Sequence, residues 1–140
     1  MSFCKVYYEK WQMECCGTPF AVGDTVEWLV GTPPERWLGL PADMREYMEN
    51  ITYCYDAHNS DWEHLFHLTG TVTGIEGIYY RYRLVKSTKN FYRPVKSRIR
   101  KLTAVSGAPA KLDEKKLAVY GVCIDHVTVR PARKEEVTYR

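Results

Sequence analysis

Residues 11–28 read WQMECCGTPFAVGDTVEW, and this stretch decides how the rest of the chain is interpreted. Its two glycines permit turns, because glycine adopts positive φ without steric cost. A turn at residues 22–24 leads into an alternating pattern in which Val26, Trp28 and Val30 share one side of a strand. The stretch therefore predicts a β-strand that enters a small apolar core, which the remaining segments are expected to close.

The composition predicts one mainly β domain. A chain of 140 residues can bury one core, so we expect a single domain over residues 1–140, with a charged tail at 131–140 that frays. Aromatic residues make up 14% of the chain and include 11 tyrosines. Since tyrosine and tryptophan suit half-buried strands, this content favours sheet over helix.

Three further segments carry strand patterns. Residues 3–11 alternate loosely, and residues 117–129 are rich in β-branched side chains, which predicts two strands. Residues 69–85 alternate around three glycines, and they predict a hairpin with its turn at Glu76-Gly77.

One amphipathic helix is predicted, because four apolar residues recur at i, i+3, i+4 and i+7: Met44, Tyr47, Met48 and Ile51. We therefore predict an α+β fold, mainly β: a strongly bent antiparallel sheet or a small SH3-like barrel, with this helix packed against it. The predicted core of the sheet consists of Val6, Tyr8, Val26, Trp28, Val72, Ile78, Tyr80, Leu84, Val119 and Val127.

The sequence predicts a cytoplasmic protein with reduced thiols and no membrane partner. No N-terminal basic region precedes an apolar run, and the longest apolar stretch, residues 117–124, is too short to span a bilayer. The five cysteines are an odd number, and adjacent cysteines such as Cys15 and Cys16 bond to each other only in a strained geometry. Reduced cysteines are typical of the cytoplasm.

Charge is divided unevenly between the two parts of the chain. Residues 1–80 hold 4 basic and 12 acidic residues, a net charge of −8, whereas residues 81–140 hold 16 basic and 5 acidic residues, a net charge of +11. Such asymmetry indicates an anionic partner. Alternatively, the two halves neutralise each other within the fold.

Residues 81–101 predict a nucleic-acid interface. They contain no acidic residue and nine basic ones: Arg81, Arg83, Lys86, Lys89, Arg93, Lys96, Arg98, Arg100 and Lys101. Basic side chains neutralise phosphates, and the interleaved Tyr82, Phe91 and Tyr92 offer rings on which unpaired bases stack. RNA or single-stranded DNA is the predicted partner, and an acidic protein surface is the alternative. A third interpretation is a solvated strand edge whose lysines prevent further pairing.

A metal site is a second hypothesis. Its candidate ligands are Cys15, Cys16, Cys54, His58, His64 and His67. Thiolate and imidazole donors favour zinc, and donors three or four residues apart can share a helical face. However, the sequence contains no C-x-x-C pair. The same residues are also explained without a cofactor, as small buried cysteines and ordinary histidines.

A nucleophilic thiol is a third hypothesis. Cys16 precedes a glycine turn, and His64 or His67 would have to approach it from a distant part of the chain to form a thiolate–imidazolium pair. Asp61 or Glu63 would then orient the histidine. A protein-interaction surface around Trp37 and Trp62 is a fourth hypothesis.

The strings WQMECCGTPF and VGDTVEW resemble the signature of a bacterial family of uncharacterised small domains, and the segment that runs into residues 69–72 is similar to it more loosely. The resemblance implies a bacterial, soluble, single-domain protein and brings no activity with it. Together with the charge pattern, it leads us to expect a non-enzymatic binding module for an anionic partner. A zinc-binding or reactive-cysteine protein is the alternative, and the oligomeric state is left open.

Overall fold

The computed structural model describes residues 3–56, 61–105, 111–112 and 115–137. The strands are β1 (Phe3–Glu9), β2 (Phe20–Ala21), β3 (Thr25–Gly31), β4 (Tyr53–Tyr55), β5 (Phe66–Leu84), β6 (Tyr92–Leu102), β7 (Ala104–Val105), β8 (Lys111–Leu112) and β9 (Lys115–Pro131). The helices are α1 (Lys10–Cys16) and α2 (Arg45–Glu49), and 3-10 turns cover Ala42–Met44, Trp62–His64 and Lys134–Glu136.

Five of the strands close into a barrel. β1 pairs with β4 in parallel, and the pairs β4–β3, β3–β5, β5–β9 and β9–β1 are antiparallel. Each of these five strands therefore has a paired neighbour on both sides. Closure of this kind is how small all-β folds avoid strand edges with unpaired backbone N–H and C=O groups. The predicted class, α+β and mainly β with a strongly bent sheet, is confirmed.

The barrel encloses an aromatic core. Val6, Val30 and Leu68 are fully buried inside it. Tyr8 stacks on Tyr55 of the neighbouring strand β4 with ring centroids 3.8 Å apart, and its ring also meets Trp28 of β3 edge-on at 5.2 Å. Offset and edge-on aromatic contacts of this kind add about 0.5–1.5 kcal/mol per pair to the burial of the rings.

The predicted helix covers the outside of the barrel wall. Met44 and Met48 are buried, and they pack with Ile51 against Ile78 and Tyr80 of β5. The apolar residues of the predicted helix are therefore packed together as expected, but the helix is shorter than predicted: Met44 lies in the preceding 3-10 turn and Ile51 lies beyond the end of α2. Because β5 contacts apolar groups on both of its faces here, residues 78–80 are buried without alternation.

Two predictions about the strands are wrong. β5 runs without a break through Glu76-Gly77, and the chain turns only at residues 85–91 before β6 returns along it. Leu84 is 42% exposed rather than part of the core, because β5 has left the barrel at that point. A Cβ at Gly77 would lie 2.9 Å from Leu102 Cδ1 on β6, so this glycine permits close packing and does not form a turn.

Helix α1 was not predicted, because the alternating pattern of residues 3–11 indicated only a strand. It continues directly from β1, and the Gly17 N–H donates to the carbonyl oxygens of Gln12 and Met13 at its end. The Gln12 side chain is buried and donates to the Tyr55 carbonyl at 3.1 Å, which ties the helix to β4.

No helix among the described residues is both long and apolar enough to cross a bilayer.

The contact between Tyr47 and the barrel wall gives a test of the packing. A Cβ at Gly121 would lie 3.0 Å from Tyr47 Cζ, and the Tyr47 hydroxyl donates to Glu76 Oε1 at 2.8 Å. We therefore expect Gly121→Ala to lower the free energy of unfolding by about 1–3 kcal/mol, since the ring must move and lose this bond. The measurement is urea denaturation followed by circular dichroism.

Gly31→Ala is the matched control. The nearest atom to a Cβ at Gly31 is Leu65 Cδ2 at 3.8 Å, an ordinary contact, so its free energy of unfolding should stay within about 0.5 kcal/mol of the wild type. Equal losses in the two variants would contradict the described position of Tyr47.

Candidate functional site

The basic segment lies on a two-stranded ribbon formed by the second half of β5 and by β6. Pairing with β9 supports β5 as far as Tyr80, and beyond that residue β5 is paired with β6 alone. A loop closes the ribbon: the Val85 N–H donates to the Phe91 carbonyl at 2.8 Å, and the Thr88 hydroxyl donates to the Val85 carbonyl at 2.6 Å. The sequence did not predict this ribbon, because its turn was assigned eight residues too early.

The register places most of the basic residues on one face. Arg81 lies opposite Lys96, and Arg83 lies opposite Arg93. Directly opposite residues, and residues two apart along a strand, share a face of a sheet. We call this the cationic face, and it consists of Arg81, Arg83, Arg93, Lys96, Arg98 and Arg100.

The remaining basic residues of the segment lie elsewhere on the ribbon. Lys86 and Lys89 belong to the exposed loop at its tip. Lys101 lies opposite Glu76, on the other face, where it helps to lower the pKa of that carboxyl. Three of the nine predicted basic residues are therefore not members of the cationic face.

The cationic face is exposed and largely unneutralised within the described part of the chain. All six of its side chains are exposed to solvent. No ion pair between described residues involves its members Arg83, Arg93, Lys96, Arg98 or Arg100. The described part of the acidic half therefore does not cover this surface.

Several acidic residues are held by other partners. Burial raises the pKa of Glu76, but hydrogen bonds from Lys5 and Tyr47 outweigh that effect and leave the pKa below its usual value. Arg130 donates to both carboxylate oxygens of Glu136 and is the main reason that the pKa of Glu136 falls to about 2. This pair also anchors the 3-10 turn Lys134–Glu136, which lies in the segment expected to fray.

The aromatic residues of the segment are separated from the arginines. The register places Tyr82 and Tyr92 on the opposite face of the ribbon, next to Leu84, and Phe91 lies at the tip. Tyr92 is 56% exposed and Phe91 is 64% exposed, so both rings are accessible. Interleaving along the sequence thus produces two surfaces, one cationic and one apolar.

The two tryptophans considered as an interaction surface are half-buried. Trp37 packs on Tyr7 with ring centroids 4.9 Å apart, over the outer cluster of the barrel wall. Trp62 belongs to the 3-10 turn that precedes β5. Trp37 is therefore explained by its packing against the barrel wall. The described residues do not indicate a binding partner for either tryptophan.

The histidines considered as metal ligands lie in separate environments. His64 is exposed and contacts Asp61 at 2.8 Å, whereas His67 lies on β5, within 3.4 Å of Glu27 and 3.7 Å of Glu136. His58 and the Cys16 side chain are outside the part of the chain that the structure describes. Within that part, no group of three or more His, Cys, Asp or Glu side chains is positioned to hold a metal ion.

The described cysteines differ from the expected set of reduced thiols. Cys15 is disulfide-bonded, whereas Cys4, Cys54 and Cys123 are free. Burial raises the pKa of Cys4 to about 11, with a smaller contribution from the neighbouring Cys123 thiol, and it raises the pKa of Cys54 to about 12, with Glu9 and Asp56 adding to that shift. Burial also raises the pKa of Cys123, despite the opposing charge of Lys5. None of the three free thiols is activated.

Alkylation of the native protein tests this conclusion. The thiolate is the reactive form, so at pH 7.5 we expect Cys4 and Cys54 to react with iodoacetamide at least about 100-fold more slowly than free cysteine. Their rates should rise with pH up to about 11 for Cys4 and about 12 for Cys54, because the raised pKa values delay ionisation. Peptide mass spectrometry over a time course measures each site, with urea-unfolded protein as the control. Rapid labelling of either residue in the native protein at pH 7.5 would contradict the conclusion that these thiols are not activated.

Comparison with known proteins places the chain in a family and identifies no activity. A family model described as a family of unknown function, DUF6578, matches residues 2–127. No curated protein matches the chain, and neither does any solved structure. Because the match covers most of the sequence, the chain belongs to the DUF6578 family of unknown function.

Proposed function

We propose that this chain is a non-enzymatic binding module whose ribbon binds single-stranded nucleic acid. The observation that carries the proposal is the pairing of like charges across the ribbon, where Arg83 lies opposite Arg93. Like charges directly opposite each other destabilise a sheet. A bound polyanion removes this repulsion, so the Arg83–Arg93 pair is best explained by a ligand that carries repeated negative charge.

The spacing of the cationic face supports a phosphate backbone as this ligand. Residues that share a face recur roughly every 6.6–6.8 Å along a regular strand, so Lys96, Arg98 and Arg100 form a row of positive charge on β6. A register shift beside Arg81 separates Arg93 from this row by one extra residue. Five of the six members are arginines, and a guanidinium group binds phosphate through two parallel hydrogen bonds. Several bidentate donors on one face suit a ligand that carries several phosphates.

The apolar face supports a single strand over a duplex. Tyr82, Tyr92 and Phe91 have exposed rings, and an unpaired base can stack on each with about 1–3 kcal/mol of stabilisation. In a duplex the bases are already stacked on one another and do not reach these rings. A strand that crosses the tip of the ribbon would contact both faces.

Fluorescence anisotropy with a labelled single-stranded oligonucleotide at low salt tests the proposal. We expect binding that weakens as salt increases, because neutralised phosphates release counterions. Arg93→Glu should weaken the binding by about tenfold and reduce the slope of log K against log [salt] by about 1. The same change should raise the free energy of unfolding by about 0.2–1 kcal/mol, since it converts a repulsive pair with Arg83 into an attractive one.

Arg36→Glu is the matched control, because Arg36 is exposed outside the ribbon and the variant has the same net charge. It should bind like the wild type. Equal weakening in the two variants would show that only net charge matters and would refute an interface on the ribbon. Binding of polyglutamate with no binding of oligonucleotides would refute nucleic acid and identify an acidic protein surface as the partner.

A further inference from the structure

The ribbon needs support beyond the pairing of its own two strands. An isolated two-stranded hairpin is only marginally stable in water, and two-stranded ribbons twist more strongly than wider sheets. Pairing with β9 ends at Tyr80, and beyond that residue β5 is paired with β6 alone among the described strands. The positions of the cationic side chains therefore depend on what holds the base of the ribbon.

A carboxylate from outside the ribbon holds β6 at this point. Ser97 of β6 lies opposite Tyr80. The Ser97 N–H donates to Asp43 Oδ2 at 3.1 Å, and the Ser97 hydroxyl donates to Asp43 Oδ1 at 2.9 Å. Each carboxylate oxygen thus accepts one hydrogen bond from the same residue, and we call this pair of bonds the Asp43–Ser97 clamp.

The backbone that carries Asp43 is itself fixed. Asp43 lies in the 3-10 turn Ala42–Met44, where the Met44 N–H donates to the Pro41 carbonyl at 3.0 Å. The Met44 side chain is buried in the cluster that packs on the outside of the barrel wall. The clamp therefore connects β6 to this cluster, in addition to its pairing with β5.

The clamp also occupies the open edge of β6. Because the Ser97 N–H donates to Asp43, it points away from β5, and an unpaired N–H at a sheet edge is a point at which another strand can pair. A hydrogen bond to a carboxylate is stronger than one to a neutral acceptor, so the carboxylate holds this position well.

We propose that Asp43 is a positioning residue for the ribbon: by holding Ser97, it fixes the direction of β6 and thereby the spacing of the cationic face. Ser97 lies between Lys96 and Arg98 in the chain, so the clamp acts directly on two members of that face. The inference rests on the proposed function, because it concerns how the same surface binds a single strand. A ribbon without the clamp has to be ordered on binding, which weakens the affinity.

Charge alone predicts the opposite effect. A carboxylate beside the ribbon reduces the positive potential that attracts phosphates, so its removal should strengthen binding if the clamp plays no part. The direction of the change therefore distinguishes a positioning residue from a nearby negative charge.

Asp43→Asn and Asp43→Ala separate the clamp from the charge, because both remove one negative charge. The asparagine oxygen can accept from the Ser97 N–H and its amide can donate to the Ser97 hydroxyl, whereas alanine keeps neither bond. In fluorescence anisotropy with a labelled single-stranded oligonucleotide, Asp43→Asn should bind at least as tightly as the wild type. Asp43→Ala should bind about fivefold more weakly than Asp43→Asn. Equal affinity of the two variants would overturn the proposal.

Glu46→Gln and Glu46→Ala are the matched control pair. Glu46 is exposed and lies three residues further along the chain, and its side chain makes no hydrogen bond with the described residues. These two variants carry the same charge change and should bind alike. A difference between them as large as that between the Asp43 variants would show that the effect does not depend on the clamp.

Amide ¹⁵N relaxation of the free protein provides a readout that needs no ligand. The heteronuclear NOE of residues 93–100 should fall in Asp43→Ala and stay at the wild-type level in Asp43→Asn, while the values for β1 and β3 stay unchanged in both. A ribbon that is equally ordered in the two variants would refute the clamp, even if the wild type binds oligonucleotides. A fall in order combined with no oligonucleotide binding by the wild type would refute the proposed function and leave the clamp supported.

Discussion

The pairing of one long strand on both of its edges determines this structure. β5 is 19 residues long and hydrogen-bonds to β9 along most of its length, while its other edge pairs first with β3 and then with β6. The first half of β5 closes the barrel, and the second half continues past the point where β9 ends its contact. The core and the ribbon are therefore parts of one continuous strand, and the barrel holds the base of the ribbon in place.

The face that points into the barrel becomes cationic where the barrel ends. Tyr79 is buried in the interior cluster, and the next residues on its face are Arg81 and Arg83. Because β6 places further arginines on the same face, positive charge accumulates where no barrel wall follows. The outer face changes in the same way, from Tyr80 beneath the helix to Tyr82 in solvent. The ribbon thus extends the two layers of the core into solvent, with cations replacing the apolar side chains of the interior layer.

Alternation and helical spacing in the sequence predicted the fold class, the strand through Trp28 and the helix around Met48, because each depends on local periodicity. The hairpin turn was assigned wrongly because the glycines of β5 resemble turn residues. Gly70 and Gly77 instead permit close approach, since a Cβ would lie 2.9 Å from the Asp125 carbonyl and from Leu102 respectively. Composition predicted the excess of basic residues, but the pairing of Arg83 with Arg93 depends on a register that no local pattern specifies.

Amide NMR of the isotopically labelled chain with an unlabelled single-stranded oligonucleotide tests the central claim most directly, because it locates the contact on the chain. The account predicts shifts concentrated at residues 81–84 and 91–100, with the amides of β1, β3 and β4 unchanged. Shifts centred on the acidic half of the chain, or no shifts at low salt, would contradict the claim that the exposed ribbon is the binding surface.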